Sequence, residues 1–352
     1  MEYTRVILRQ WYAQNGRQLP WRETANPYHI WVSEIILQQT RVAQGLDYFI
    51  RFIQRFPDVA SLAEADEDEV MRHWQGLGYY SRARNLQAAA RQIMQAGGKF
   101  PDTYKEVRAL KGVGDYTAAA ICSFAYGLPH AVVDGNVYRV LSRLMAITTP
   151  IDSTKGKREF AQLADMLLDR DQPALHNQAI MDFGATQCVP HHPDCGSCPL
   201  SHHCEAHQQG IVSQLPVKQH RTLTSDRYFN YIYVRAGGST FIHKRSGNDI
   251  WRNLYEFPLI ETDTRLTEEQ FYAHPLLQSF LAPDEKPVVR LLQRGVRQVL
   301  SHRIIHADFY EITLPADTHS FNGFLQIPIS SINDYPVHRM IERFLLQLTN
   351  HE

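Results

Sequence analysis

Between Leu110 and Asp134 the chain sets a glycine turn (Lys111, Gly112, Val113, Gly114), a short run of small residues and one carboxylate in strict succession. Gly112 and Gly114 let the backbone turn tightly and approach a ligand, and the helix that follows opens with free N–H groups, which together make an anion site. A GxG turn between helices is more often a plain connector, so the turn gains weight only from its surroundings. Asp134 closes the apolar approach Val132-Val133 and is followed by Gly135-Asn136, which places it at the start of a helix through Val137, Leu141 and Leu144. It is therefore a candidate N-cap. A carboxylate at a helix start stays ionised, and an ionised carboxylate is what stabilises a sugar cation, so capping and chemistry are compatible at this position.

Four of the five cysteines crowd into the short stretch Cys188, Cys195, Cys198 and Cys204, and this argues for a metal site over a dispersed disulfide framework. Thiolates this close can hold zinc or an iron–sulfur cluster; the common zinc pattern of two CxxC pairs is not met, because only Cys195 and Cys198 form one. Either group would be a structural staple, since four thiolates leave no open position for hydrolysis. His191, His192, His202 and His203 interleave the loop and are read as solvent-facing or phosphate-contacting, not as ligands. Cys122 reads as a buried core thiol.

From Tyr3 to about Gln209 the apolar residues follow a helical period. Thr40 is placed to cap a helix carrying Val42, Leu46, Phe49, Ile53 and Phe56, ending at Pro57. Further starts read as capping boxes at Ser61 with Glu64, Asp66 with Glu69 and Thr103 with Glu106, and Gly97-Gly98 ends the helix that begins after Ser81. After the polar stretch 208–225 the period changes to two. Tyr228 to Val234 and Phe241 to Lys244 flank Gly237-Gly238 as a hairpin, Ile304 to Ile312 alternates again, and a terminal helix carries Val337, Ile341 and Phe344/Leu345 on one face. The pattern predicts an all-α domain over 1–210 including the cysteine loop 188–204, a linker over 211–225, and a separate α+β domain over 226–352.

A net charge of −1 for the whole chain, with equal numbers of basic and acidic residues from Met1 to Cys204, does not announce a nucleic-acid binder; any basic face is a matter of placement. No apolar run approaches the ~20 residues of a membrane span, and Met1 to Trp11 lacks the core of a signal peptide, so a cytosolic protein is expected.

Trp31-Val32-Ser33-Glu34-Ile35-Ile36-Leu37-Gln38-Gln39-Thr40 places one acid in an apolar helical segment. A lone glutamate in a helix is more often a solvated surface residue. Apolar flanks favour another role, because desolvation raises a carboxyl pKa and keeps the group protonated near neutrality, as a general acid requires.

The glycine turn followed by its carboxylate resembles the helix-hairpin-helix Gly/Pro-Asp module of DNA base-excision glycosylases. The six-two-five spacing of the cysteines is similar to the [4Fe-4S] loop of the endonuclease III and MutY glycosylases. The Ser33 to Thr40 run, Gly76-Leu77-Gly78-Tyr79-Tyr80, the turn, Val133-Asp134-Gly135-Asn136 and the cysteine loop all stand in the order of the MutY adenine DNA glycosylase family. Trp251, Asn253, Leu254, Tyr255, Glu256, Phe257 and Pro258 resemble the run that marks that family's Nudix-like domain. Thr267 to Gln270 lacks the RExxEE pattern of a pyrophosphate hydrolase, which leaves this domain a recognition module.

The resemblance implies an all-α glycosylase domain with a [4Fe-4S] cluster on Cys188, Cys195, Cys198 and Cys204, followed by a Nudix-like lesion-recognition domain. It implies double-stranded DNA carrying A:8-oxoguanine or A:G mispairs as partner, no membrane, a monomer, and a cytoplasmic protein associated with the nucleoid. Glu34 would protonate adenine N7, and Asp134, hydrogen-bonded by Tyr116 and Asn136, would stabilise the sugar cation. Arg22 and Gln178 would line the adenine pocket. Gln39, Thr40, Tyr79, the turn Gly112, Val113 and Gly114, and Ser301-His302 would contact DNA. Two departures stand out. Leu300 and Gln298 replace the Phe and His of many members beside the 8-oxoguanine-sensing loop, and Tyr116 stands where endonuclease III types carry a Schiff-base lysine. An endonuclease III-like glycosylase/lyase for oxidised pyrimidines and a non-catalytic damaged-DNA binder are the alternatives.

Overall fold

The computed structural model describes residues 1–219, 223–281, 287–318, 321 and 323–348; of the expected linker 211–225, residues 220–222 lie outside this set, as do 282–286, 319, 320, 322 and 349–352 of the expected second domain. The chain divides into two compact units, Met1–Glu64 with Arg84–Arg221, and Ala65–Ala83 with Thr222–Glu352.

Helices α1 (Glu2–Asn15), α2 (Pro27–Leu37), α3 (Val42–Arg55), α4 (Val59–Glu64), α5 (Glu67–Trp74), α6 (Ser81–Gln95), α7 (Tyr104–Ala109), α8 (Asp115–Tyr126), α9 (Gly135–Leu144), α10 (Thr154–Leu167), α11 (Pro173–Asp182) and α12 (Glu205–Gln208) follow one another without a strand. In the first unit the core is built by residues such as Leu8 of α1, Val137, Val140 and Leu141 of α9, Phe160 of α10 and Ile180 of α11. The caps follow local chemistry. Asp66 caps α5 but accepts from the amide of Asp68 and not from that of Glu69, so the expected box with Glu69 does not form, and Thr103 accepts from the amide of Glu106. Gly97 and Gly98, both with positive φ, close the end of α6. Two expected caps fall elsewhere. Ser61 lies inside α4, whose first turn is held by Asp58 accepting from the Ser61 amide at 2.8 Å. The N-cap of α3 is Arg41 with no side-chain bond, because the Thr40 amide and hydroxyl turn back to Leu37 and Gln38.

In the second unit, β1 (Ser225–Ala236) and β2 (Ser239–Lys244) form the expected hairpin, in register at Ala236 and Ser239. Short strands β3 (Tyr255–Glu256) and β4 (Leu259–Thr262) pair with β2 and β1. Two short helices, α13 (Glu268–Tyr272) and α14 (Pro275–Phe280), precede β5 (Val288–Val299), which pairs antiparallel with β6 (Arg303–Leu314); β6 runs parallel to β1, and β7 (Leu325–Pro328) pairs with β2. The sheet order is β3-β2-β1-β6-β5. Helix α15 (Arg339–Leu348) buries Met340, Ile341 and Phe344. Val337 precedes this helix and bridges to Tyr255 instead, a departure from the expected helical face. Among the described residues, no helix is long and apolar enough to cross a membrane.

Candidate active site

Helix α2 begins at Pro27 behind an Asn26 cap and carries Glu34 on a face that is buried almost throughout. The Glu34 side chain lines a cavity of about 530 Å³ together with Arg22, Gln38, Gln39, Thr40, Tyr116 and Asp134. Asn136, Arg139 and Gln178 line the same cavity, so first-unit residues read from distant parts of the sequence converge on one space.

Burial raises the Glu34 carboxyl from its ordinary 4.5 to about 7; the Tyr116 hydrogen bond opposes this, nearby Asp134 adds to it, and Arg22 lowers it. The Tyr116 hydroxyl donates to Glu34 Oε2 at 2.6 Å. This corrects the expectation that Tyr116 bonds Asp134: α8 delivers the phenol to the carboxylate of α2, against which it packs.

Asp134 is the N-cap of α9, accepting from the Val137 amide at 2.8 Å on one oxygen and from Asn136 Nδ2 at 2.8 Å on the other. Burial raises its carboxyl above the ordinary value, opposed by the bonds from Val137 and Asn136 and by the charge of Arg139.

Sequence reading missed the residues behind this pair. Arg139 Nη2 donates to Asn136 Oδ1 at 2.8 Å and its Nε to the Cys188 carbonyl at 2.7 Å. A guanidinium can only donate, so Asn136 must offer its oxygen to Arg139 and its amide nitrogen to Asp134. Gly184 makes room for this: a Cβ there would lie 2.7 Å from Asn136 Cβ and 2.9 Å from its carbonyl oxygen. Asp182, fully buried, accepts both Arg22 Nη1 at 2.7 Å and Nη2 at 2.8 Å, and also the Arg17 amide and guanidinium. Burial opposes its charge, but the bonds from Arg22 and Arg17 outweigh it and lower the carboxyl to about 2. Gln178 Oε1 accepts the Tyr12 hydroxyl at 2.9 Å. The available signal was the one that marked Glu34, a lone acid in an apolar helix, here at the end of α11.

The glycine turn joins α7 to α8. Gly112 has a φ of 77°, and a Cβ there would meet Asn85 at 2.7 Å. Gly114 is the N-cap of α8 and makes no side-chain cap. Val113 departs from the expectation of an outward N–H: its amide closes the turn onto the Leu110 carbonyl at 3.1 Å and its side chain is buried.

Cys188, Cys195, Cys198 and Cys204 line a second cavity with Arg143, Leu144, Phe183 and Leu200. Arg143 knits the loop to α9. Its guanidinium donates to Cys188 Sγ at 3.4 Å and to the carbonyls of Val189 and Pro190, and its own carbonyl accepts from Cys204 Sγ at 3.3 Å. Among the described residues no group of three or more His, Cys, Asp or Glu is placed to hold a single metal ion.

In the second unit, Ser301-His302 form the tip between β5 and β6, closed by the Leu300 amide donating to the Arg303 carbonyl at 2.8 Å. The Tyr79 hydroxyl lies 2.7 Å from Ser301 Oγ, with the ring half exposed.

Two family models match the chain: the HhH-GPD superfamily base excision DNA repair protein over residues 32–165, and the NUDIX domain over residues 230–347. The adenine DNA glycosylase of Mus musculus is 45% identical over 225 residues, 60% of this chain and 44% of that protein. The adenine DNA glycosylase of Buchnera aphidicola from Schizaphis graminum is 33% identical over 268 residues, 76% of this chain and 77% of that protein. This chain belongs to the adenine DNA glycosylase family. It spans less than half the length of the mouse relative. A thermostable thymine-DNA glycosylase structure matches with a TM-score of 0.56 at 27% identity, over 59% of this chain and 96% of that one. A non-covalent endonuclease III–DNA complex matches with a TM-score of 0.53 at 22% identity over 60% of this chain and 96% of that one, a likeness of fold.

Proposed function

We propose that this member of the family is a monofunctional adenine DNA glycosylase that hydrolyses the N-glycosidic bond of adenine mispaired with 8-oxoguanine or guanine in duplex DNA, and so prevents G:C to T:A transversions. The observation that carries the reading is Glu34: a buried carboxyl with no cation bonded to it among the described residues, raised to about 7, facing the same cavity as Asp134. Adenine has to leave the base stack before its ring nitrogens can be reached. Tyr116 occupies Glu34 Oε2, which leaves Oε1 to carry the proton to N7 and turn the base into a leaving group. Asp134, supplied with donors by Val137 and Asn136, stabilises the oxocarbenium sugar until water adds. Tyr116 offers no amine for a Schiff base, which supports base release without strand cleavage.

Arg22 and Gln178 line the base pocket, and Gln39, Thr40, Gly112, Gly114, Tyr79, Ser301 and His302 contact DNA in this reading, while Val113, with its amide, carbonyl and side chain all engaged within the turn, holds the turn's shape. A domain division at 1–210 and 226–352, with Ala65–Ala83 counted in the second unit, and a monomeric protein complete it. The four cysteines suit a [4Fe-4S] cluster: all four line one cavity, and thiolates are the ligands such a cluster takes. When bound, the cluster supplies a cross-link within the loop, and Arg143 ties that loop to α9.

The test is single-turnover release from a duplex with adenine opposite 8-oxoguanine, with Glu34→Gln beside the native protein. Adenine release by the native protein alone, with an intact abasic strand until alkali is added, is the expected result. Strand cleavage with a borohydride-trapped adduct would point to lyase chemistry; binding without release would make the protein a damage-binding module.

A further inference from the structure

Helix α5 starts with acids, and the second unit holds two of them. Lys244 Nζ bonds Asp68 Oδ1 at 2.5 Å, the Tyr255 hydroxyl donates to Asp68 Oδ2 at 3.1 Å, and Asn253 Nδ2 donates to Glu67 Oε1 at 2.5 Å. Just past the other end of α5, Gln75 Oε1 accepts the Val337 amide at 3.1 Å. Further along the same segment, Tyr79 meets Ser301. These bonds run through Ala65–Ala83, which is why this segment belongs to the second unit although helices of the first unit flank it in sequence.

Strain marks both ends of the arrangement. Tyr79 has a φ of 47°, and on the holding side Trp251 and Asn253 have φ of 58° and 66°. Bulky residues adopt this region at a cost and persist there only when their surroundings over-determine them. The Trp74 indole donates to the Gly78 carbonyl at 3.1 Å, and Arg82 lies over the Tyr79 ring. On the other side the Asn253 amide donates to the Arg245 carbonyl at 2.8 Å, which turns the Asn253 side chain to Glu67.

We propose that Glu67 and Asp68, held by Asn253, Lys244 and Tyr255, are positioning residues for lesion recognition: they fix the segment that carries Tyr79, so that Tyr79 and Ser301 present one surface to the base opposite adenine. The inference rests on the DNA-contacting role proposed above for Tyr79 and Ser301. None of the clamp residues lines the cavity of the first unit. Loosening the clamp therefore weakens discrimination between 8-oxoguanine and guanine and leaves the excision step alone.

The experiment compares adenine release opposite 8-oxoguanine and opposite guanine for the native protein, Asp68→Lys, and Asp68→Lys combined with Lys244→Asp. Expected is a roughly fivefold fall in the 8-oxoguanine preference for Asp68→Lys, the size an ion pair of this exposure supports, with release opposite guanine unchanged and the preference largely restored by the charge swap. Thermal melting establishes that each variant is folded; if Asp68→Lys is not, Tyr255→Phe, which removes one hydroxyl, is the second variant, with an expected fall of about twofold. An unchanged preference in a folded variant, or a loss that the swap does not restore, overturns the clamp. A native protein that releases adenine from neither duplex overturns the functional reading instead. The clamp is then read from the ratio of binding constants for the same two duplexes.

Discussion

Glu34 in the first unit and Glu256 in the second are buried to nearly the same degree, 6% and 2% exposed, yet their surroundings differ in kind. Arg245 Nη1 bonds Glu256 at 2.6 and 2.8 Å on its two oxygens, and the Tyr231 hydroxyl donates to it at 3.1 Å. His338, stacked on Trp251, shares that hydroxyl at 3.0 Å. Among the described residues, Glu34 has only the Tyr116 phenol bonded to it, and it faces an open cavity. A buried carboxylate with a bonded cation is a cross-link whose removal strands the partner charge. One without a cation holds its proton near neutrality and can deliver it. Asp182 sides with Glu256, because two arginines claim it. By this comparison Asp182 belongs to the architecture of the first unit, whereas Glu34 is a buried carboxyl left open to chemistry.

Glutamine at the two positions should separate the roles most sharply. Glu34→Gln is expected to cut single-turnover adenine release by about 10²- to 10⁴-fold, the range general acids contribute. The same change should stabilise the fold. A carboxyl raised from 4.5 to about 7 keeps its proton in the folded chain while the unfolded chain loses it, so native stability falls as pH rises from about 4.5 to 7 and stays low above that. The amide escapes that loss, and urea unfolding at pH 8 should show Glu34→Gln more stable by up to about 3 kcal/mol. Glu256→Gln should do the reverse, losing about 3 kcal/mol or more of stability because Arg245 keeps its charge in a buried site. If both variants lose stability equally, the distinction between a chemical and a structural carboxylate fails.

The sequence carried this distinction only halfway. Glu34 was legible because an acid among Trp31, Val32, Ile35 and Ile36 has nowhere to go except inward, and Asp134 because a carboxylate before Gly-Asn at a helix start caps it. Helical periods and most caps were legible for the same local reason. What stayed hidden depends on approach between distant residues. The choice of Tyr116 between Glu34 and Asp134 is a matter of how α8 packs on α2. The bond from Arg139 to the Cys188 carbonyl joins residues 49 positions apart. Strand β5 escaped notice because Arg290, Gln293, Arg294 and Arg297 interrupt its alternation, as befits the sheet's outer strand, half open to solvent. The membership of Ala65–Ala83 in the second unit rests on side-chain bonds to residues nearly two hundred positions away, which no local pattern announces.

The finest test of the comparison is the pH dependence of release. With Glu34 as proton donor, the single-turnover rate should be flat on the acid side of about pH 7 and fall about tenfold per unit above it. The Tyr116 hydroxyl bond favours the ionised carboxylate and so lowers the Glu34 pKa; Tyr116→Phe removes it, and the falling limb should move to higher pH. The direction matters more than the size. A phenol that instead served Asp134 would leave the limb in place and lower the rate evenly at all pH, and a limb that moved to lower pH would mean that a cation, Arg22 foremost, had swung onto Glu34 and turned it into a carboxylate of the Glu256 kind.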